Sequence, residues 1–189
     1  MGYQSAQCAS GVGYLPMPQP AINVQFYLMQ IAQVIEKIGY MPLNQDGFVI
    51  YVEKSPAAIS VAESEQIPKE ISYKMISYNH HSMRGNLQEK KNTILKLAEL
   101  LEAKRTELAK VDSRFCSDIF YLFNNLNIRH NNVDPSINGK FKQAVADMPP
   151  EELEHWYDET YQMCLLAFLR LEQADRKIEF DKLKSVIES

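Results

Sequence analysis

The residues best suited to chemistry lie close together in the segment FNNLNIRHNNVDP, residues 123–135. In this segment Arg129, His130, Asn131 and Asn132 directly follow an apolar helical pattern. Arginine can hold a phosphate through two hydrogen bonds, histidine can transfer protons, and asparagine can orient a hydroxyl group. These groups would suffice for metal-free cleavage of RNA, in which the ribose 2′-hydroxyl attacks the adjacent phosphate.

The same residues are also typical of an ordinary helix C-terminus without catalytic function. The negative end of the helix dipole would stabilise Arg129 and a protonated His130, and Asn131 would take a left-handed turn. The sequence leaves both interpretations open.

Further basic residues lie on a charge-rich helical segment, residues 88–110. Lys90, Lys91, Lys104 and Arg105 are candidate phosphate contacts for RNA. The alternative is that this helix face is solvated, which is the more common role of mixed charges on a helix.

Composition limits the classes of protein that fit the chain. The 189 residues, 46% of them apolar, are enough for one sizeable core. The net charge is −4, so no global positive field attracts nucleic acid or an anionic membrane, and any RNA contact must be local. No secretory signal or membrane span is recognisable, and we expect a cytoplasmic protein.

The cysteine and histidine spacings do not suggest a metal site. The three cysteines are odd in number and far apart, which argues against a disulfide scaffold or a thiolate zinc site. His80 and His81 are adjacent and would point apart on a helix, and His155 has acidic neighbours at the spacing of a surface ion pair. No nucleotide-binding or nucleophile motif is present, so we expect neither metal nor cofactor.

The first half of the chain mixes turn signals with one helix and one hairpin. Glycines and prolines make residues 1–20 an extended arm. An apolar stripe predicts a helix that begins at Ile22 and is stopped by Gly39. The Asp46-Gly47 pair, followed by the β-branched run 48–52, predicts a hairpin.

The middle of the chain predicts further helices. Ser55-Pro56 suits the start of a short helix, and Pro68 the first turn of another. After them, one long helix is indicated by apolar residues that repeat every seven positions: Leu87, Ile94, Leu101 and Leu108.

The chain then predicts two more helices separated by a loop. Asp112 or Ser113 can cap the helix that leads to the polar cluster. Residues 131–139 are a loop by composition. Pro149-Pro150 begins the last helix, whose broad apolar face is either central in the bundle or shared with a second chain. The charge-rich segment 175–184 is expected to be solvated.

These patterns predict a mainly α fold, a helical bundle with a small N-terminal β-hairpin. We divide the chain into an extended arm (1–20), a unit of N-terminal helix, hairpin and connecting segment (21–86), and a helical bundle (87–189). The last two parts are expected to form one compact unit.

The part of the chain from Lys90 to Lys184 resembles the HEPN superfamily, in particular the helical domains of bacterial abortive-infection proteins. The resemblance lies in KKNTILKLAELLEAKRTEL, DIFYLFNNLNIRHNN and ELEHWYDETYQMCLLAFLRL. It implies a helical bundle that pairs as a homodimer and brings two copies of the polar motif together. Active members are metal-independent ribonucleases used as toxins or in phage defence, and inactive members bind RNA or act in assembly.

The resemblance makes Arg129 the motif arginine and Asn131 or Asn132 its polar companion. This chain departs from the active members in one respect. In those proteins the histidine follows the arginine by about four to six residues, whereas here His130 is adjacent to Arg129. We expect an RNA-binding protein with ribonuclease activity. The alternative is a non-catalytic module that binds a partner protein through the apolar last helix and the uncharged first 35 residues.

Overall fold

The computed structural model describes residues 23–45, 47–136 and 139–188. Its elements follow in the order α1 (Val24–Lys37), β1 (Tyr40–Gln45), β2 (Phe48–Glu53), α2 (Pro56–Ala62), α3 (Lys69–Ser77), a 3-10 turn (His81–Met83), α4 (Leu87–Ala103), α5 (Arg105–Val111), α6 (Ser113–Asn125), α7 (Gln143–Ala146) and α8 (Pro150–Ile187). The predicted mainly α fold with a small hairpin is confirmed. The predicted arm, residues 1–20, lies outside the described residues.

The first helix and the hairpin form where the sequence predicts them. Gly39, with a φ of 86°, follows the end of α1. The two strands pair in antiparallel register from Tyr40 opposite Glu53 to Gln45 opposite Phe48. Gly47 in the connecting turn has a φ of 88°, which glycine adopts without strain. The predicted turn residue Asp46 lies outside the described residues.

The core lies where α4 packs against α8, with further side chains from α2, α3, α5 and α6. Completely buried residues on these helices include Met75, Ile94, Leu97, Leu101, Leu108, Ile119, Phe123 and Tyr161. Because α2 and α3 share this core, the connecting segment of the predicted unit 21–86 packs with the predicted bundle 87–189. In contrast, α1 has no buried residue and packs chiefly on β1.

The prediction of one long helix after Leu87 is wrong at one position. The helix is interrupted at Lys104, which has φ −106° and ψ 9°, and α5 begins at the next residue. The interruption separates α4 from α5, which packs against both α6 and α8. Tertiary packing is the physical reason for the break, since the local sequence contains neither glycine nor proline.

The last helix begins at Pro150 as predicted and has 38 residues. Its buried residues lie in the part up to Leu171 and include Tyr157, Tyr161, Cys164, Leu165, Phe168 and Leu171. Residues 175–188 are exposed, as predicted, but they continue the same helix to Ile187. The short helix α7 lies just after the predicted loop.

Candidate functional site

The end of α6 positions the predicted polar cluster. Asp112 caps the start of this helix by accepting a hydrogen bond from the backbone of Phe115 at 2.9 Å. The helix ends at Asn125, and Asn127 has a φ of 55°. Asparagine tolerates this left-handed conformation better than most residues. The left-handed turn expected at Asn131 is therefore made by Asn127.

Arg129 reaches from this turn to α4. Its guanidinium forms an ion pair with Glu102 and donates a hydrogen bond to the carbonyl of Ala98 at 3.4 Å. The same group lies 5.6 Å and 5.9 Å from the ring centroids of Phe120 and Phe123. The side chain remains 20% exposed, so it is anchored without being sealed from solvent.

Arg105 approaches the same carboxylate from the start of α5. Its Nη1 atom lies 3.4 Å from Oε1 of Glu102, and its guanidinium lies 4.5 Å from the centroid of Phe120. The structure thus brings Arg105 and Arg129 together around one carboxylate and one aromatic ring. The three ionised groups carry a net charge of +1, and Arg105 is 54% exposed.

The two residues after Arg129 are accessible. His130 is half-buried and Asn131 is exposed. His130 forms no side-chain hydrogen bond or ion pair with any residue in the described ranges. Its imidazole is therefore not committed to a structural contact within the described chain.

Asn132, in contrast, is completely buried. Its side-chain oxygen accepts a hydrogen bond from the backbone of Asn127 at 2.7 Å, and its amide donates to the carbonyls of Asn124 (3.2 Å) and Lys140 (2.6 Å). All these bonds hold the loop that follows α6. The Asn132 side chain is therefore engaged in positioning the loop and offers no free group to a ribose.

Two further basic residues predicted to contact RNA are half-buried. Lys91 donates a hydrogen bond to the side chain of Asn127 at 3.3 Å, and burial lowers the pKa of its ammonium. Burial raises the pKa of the Tyr157 phenol to about 12, and the neighbouring side chain of Asn127 partly offsets this rise. Lys104 is half-buried at the break between α4 and α5.

Lys90 is the buried member of a separate, partly exposed cluster. Its ammonium lies 2.6 Å and 2.9 Å from the two carboxylate oxygens of Asp158 and 2.7 Å from Glu154. Tyr78 donates a hydrogen bond to Asp158 at 2.8 Å, and the backbone of Gly85 donates to Glu154 at 2.8 Å. Burial, followed by the adjacent Asp158, raises the pKa of Tyr78 and keeps it a neutral donor.

The burial of Lys90 decides what it can contact. Only 4% of the residue is exposed, and its charge is surrounded by two carboxylates. A phosphate of RNA would have to compete with both of them. Lys90 therefore joins α4 to α8, and the accessible cations of the predicted set are Arg105 and, to a lesser degree, Arg129 and Lys104.

The adjacent histidines lie beside this cluster. The ring centroids of His80 and His81 are 4.1 Å apart, and burial together with the neighbouring His81 lowers the pKa of His80. Both line a cavity of about 230 Å³ that also includes Lys90 and Asp158. No group of three or more His, Cys, Asp or Glu residues in the described ranges is arranged to hold a metal ion.

Sequence reasoning did not single out Glu102 or Glu154, and it assigned Asp158 to a surface ion pair with His155, whereas Asp158 pairs with Lys90. Glu154 and Asp158 are four residues apart, so they lie on one face of α8, and this pairing beside an apolar stripe was a usable signal. Glu102 lies three residues before Arg105, a spacing that also indicates a contact. Its additional pairing with Arg129 depends on the tertiary fold.

Comparison of the chain with models of known protein families, with curated proteins and with solved structures gave no match. Within the described residues, no helix is both long and apolar enough to cross a membrane.

We expect Asn132→Ala to lower the free energy of unfolding by about 2 kcal/mol or more, because it leaves buried backbone groups without partners. Urea denaturation will measure the change. Asn131→Ala is the matched control, since Asn131 is exposed, and its effect should stay within about 0.5 kcal/mol. Equal stability of the two variants would contradict the assigned role of Asn132.

The Lys90 cluster predicts a pH-dependent contribution to stability. Hydrogen bonds from Lys90 and from the backbone of Gly85 lower the pKa of Glu154 from its ordinary value of 4.5. A lowered carboxyl pKa contributes stability that is present above pH 4.5 and lost as the pH falls through the folded-state pKa.

We expect Glu154→Gln to destabilise the protein at pH 7 and to lose this disadvantage progressively below pH 4.5. Urea denaturation of both proteins across this pH range will measure the difference. Because glutamine can still accept the hydrogen bond from Gly85, the substitution isolates the charge. A difference that stays constant with pH would contradict the assignment.

Proposed function

We propose that this chain is an RNA-binding protein of the HEPN-like defence or toxin type and that it cleaves RNA without a metal ion. The observation that carries the proposal is the convergence of Arg105 and Arg129 on Glu102, with His130 directly after Arg129 in the chain. A cytoplasmic location fits the free, buried thiols of Cys116 and Cys164.

The guanidinium pair supports phosphate binding. Each arginine has five N–H donors, and the contacts with Glu102 and Ala98 use only some of them. Glu102 also orients both groups, which reduces the conformational entropy lost when a ligand binds. Because one carboxylate faces two guanidiniums, a phosphate would restore charge balance at this end of α6.

The proposed reaction needs only a proton carrier beside the bound phosphate. The ribose 2′-oxygen forms a bond to phosphorus while the bond to the 5′-oxygen breaks, giving a 2′,3′-cyclic phosphate and a 5′-hydroxyl. The imidazole of His130 accepts the proton of the 2′-hydroxyl and returns a proton to the departing oxygen. The family resemblance adds that two copies pair and bring two such clusters to one cleft.

We expect the purified protein to cleave total RNA in the presence of EDTA and to leave 2′,3′-cyclic phosphate ends. His130→Ala should lower the cleavage rate by about 100-fold or more, the usual contribution of general acid–base catalysis. Arg129→Lys should also lower it, because lysine keeps the charge and loses the two-pronged geometry. Gel electrophoresis of the RNA measures the rates.

His155→Ala is the matched control, since His155 is an exposed histidine on α8, remote in sequence from the cluster. Thermal unfolding of each variant separates a loss of chemistry from a loss of folding. Equal cleavage by the wild type, His130→Ala and Arg129→Lys would overturn the proposed catalytic cluster.

A second candidate function is a non-catalytic module that binds another protein chain. The observation that favours it is α1, which buries no residue although it carries large apolar side chains. Among those that remain at least a third exposed are Val24, Phe26, Tyr27, Leu28, Met29, Ile31 and Val34. An uncovered apolar surface of this kind is typical of interaction sites.

In this second case the simplest partner is another copy of the chain. We expect Leu28→Ser combined with Ile31→Ser to shift the sedimentation coefficient towards that of the monomer, because both side chains are exposed on α1. The exposed pair Gln30→Ser and Gln33→Ser on the same helix is the control. A wild-type protein that sediments as a monomer would exclude self-association through α1.

A further inference from the structure

A basic cavity lies between α5 and the second half of α8. Its volume is about 640 Å³, and it is lined by Lys110, Arg170, Arg176 and Lys177 together with apolar residues. None of the described residues that line it carries a carboxylate. In a chain with a net charge of −4, the residues that line this cavity include four cations.

The charges of this α5–α8 cavity are only partly compensated. Arg170 pairs with Asp112, and Arg176 pairs with Glu172 at 2.6 Å. Lys110 and Lys177 form no ion pair with any residue in the described part of the chain. The ammonium groups of Lys110 and Lys177 therefore have no ion-pair partner within the described residues, which favours an anionic ligand; the carboxylates of Glu107 and Asp175 line the adjoining cavity that Lys110 also borders.

An aromatic side chain borders the same cavity. Phe180 is 54% exposed, and the ammonium of Lys184 lies 4.9 Å from its ring centroid. Exposed aromatic rings beside lysine and arginine are the combination by which proteins bind single-stranded nucleic acid, through base stacking and phosphate contacts. A small inorganic anion would make no use of the ring.

The spacing of the cations suits an extended ligand. Arg170, Lys177 and Lys184 are seven residues apart on α8 and therefore lie along one face of the helix. Each step of seven residues covers about 10 Å along the helix axis. Lys110 on α5 lines the same cavity as Arg170 and Lys177.

We propose that the α5–α8 cavity binds a single-stranded segment of RNA, with Lys110 and Lys177 at its phosphates and a base stacked on Phe180. This inference rests on the proposed RNA-binding function and assigns to it a second contact region. Arg105 and Arg129 would hold the phosphate that is cleaved, and the cavity would hold another part of the same strand.

The test measures binding of a fluorescent, single-stranded 2′-O-methyl oligonucleotide by anisotropy. This probe keeps the phosphates and bases of RNA but lacks the 2′-hydroxyl that the proposed cleavage requires. We expect Lys110→Gln combined with Lys177→Gln to weaken binding at least tenfold at low salt. The slope of the logarithm of affinity against the logarithm of salt concentration should become shallower by about 1.4, for two lost phosphate contacts on a single strand.

The matched control combines Lys96→Gln with Lys182→Gln, two exposed lysines outside the cavity that cause the same change of net charge. Its affinity should stay at that of the wild type. Phe180→Ala should weaken binding about fivefold or more, the lower end of the contribution of base stacking, and Phe180→Trp should retain it.

The possible results separate this inference from the proposed function. If the cavity variant binds as the control does while Arg105→Gln weakens binding, the cavity inference is overturned and the Arg105–Arg129 cluster stands. If the cavity variant weakens binding and Arg105→Gln does not, the cavity is supported and the cluster fails. A wild-type protein that does not bind the probe overturns both.

A protein ligand is the other outcome to be tested. If the cavity variant changes the sedimentation coefficient and leaves the affinity for the probe unchanged, the cavity contacts another chain. That result would overturn RNA binding at this position.

Discussion

The ion pairs of Lys90 fix how α4 and α8 meet. A buried ammonium is costly unless it is fully paired, and here Asp158 and Glu154 supply both carboxylates while Tyr78 bonds to Asp158. A shift of one helix along the other would leave the buried ammonium of Lys90 without its carboxylate partners. Burial of apolar residues stabilises the contact between α4 and α8. The charged cluster favours one register of α4 against α8.

The proposed catalytic cluster depends on this helix pair. The turn after α6 is attached to α4 through Lys91, which donates a hydrogen bond to Asn127, and the phenol of Tyr157 on α8 lies beside the same asparagine. Arg129 then reaches Glu102, again on α4. Contacts with neighbouring helices thus position the residues that follow α6. The side chain of Asn132 stabilises the loop by forming hydrogen bonds with backbone groups of the loop.

The distribution of positive charge connects the two proposals. Both contact regions use α5, with Arg105 at its first residue beside α6 and Lys110 near its last residue beside α8. The interruption at Lys104 makes this arrangement possible because it gives α5 its own packing between the two helices. An acidic chain thereby presents basic side chains in two restricted places, which is how local RNA contact would be achieved without a global positive field.

The sequence by itself determined the hairpin and most of the helices with their first residues, because apolar periodicity, capping residues, glycine and proline act over a few neighbouring positions. It also marked the segment that contains Arg129 and His130. Only the tertiary structure decided that Lys90 is buried, that Asn132 holds a loop, that Arg105 and Arg129 share Glu102, and that the long helix breaks at Lys104. These features depend on partners distant in sequence, so local pattern could not specify them.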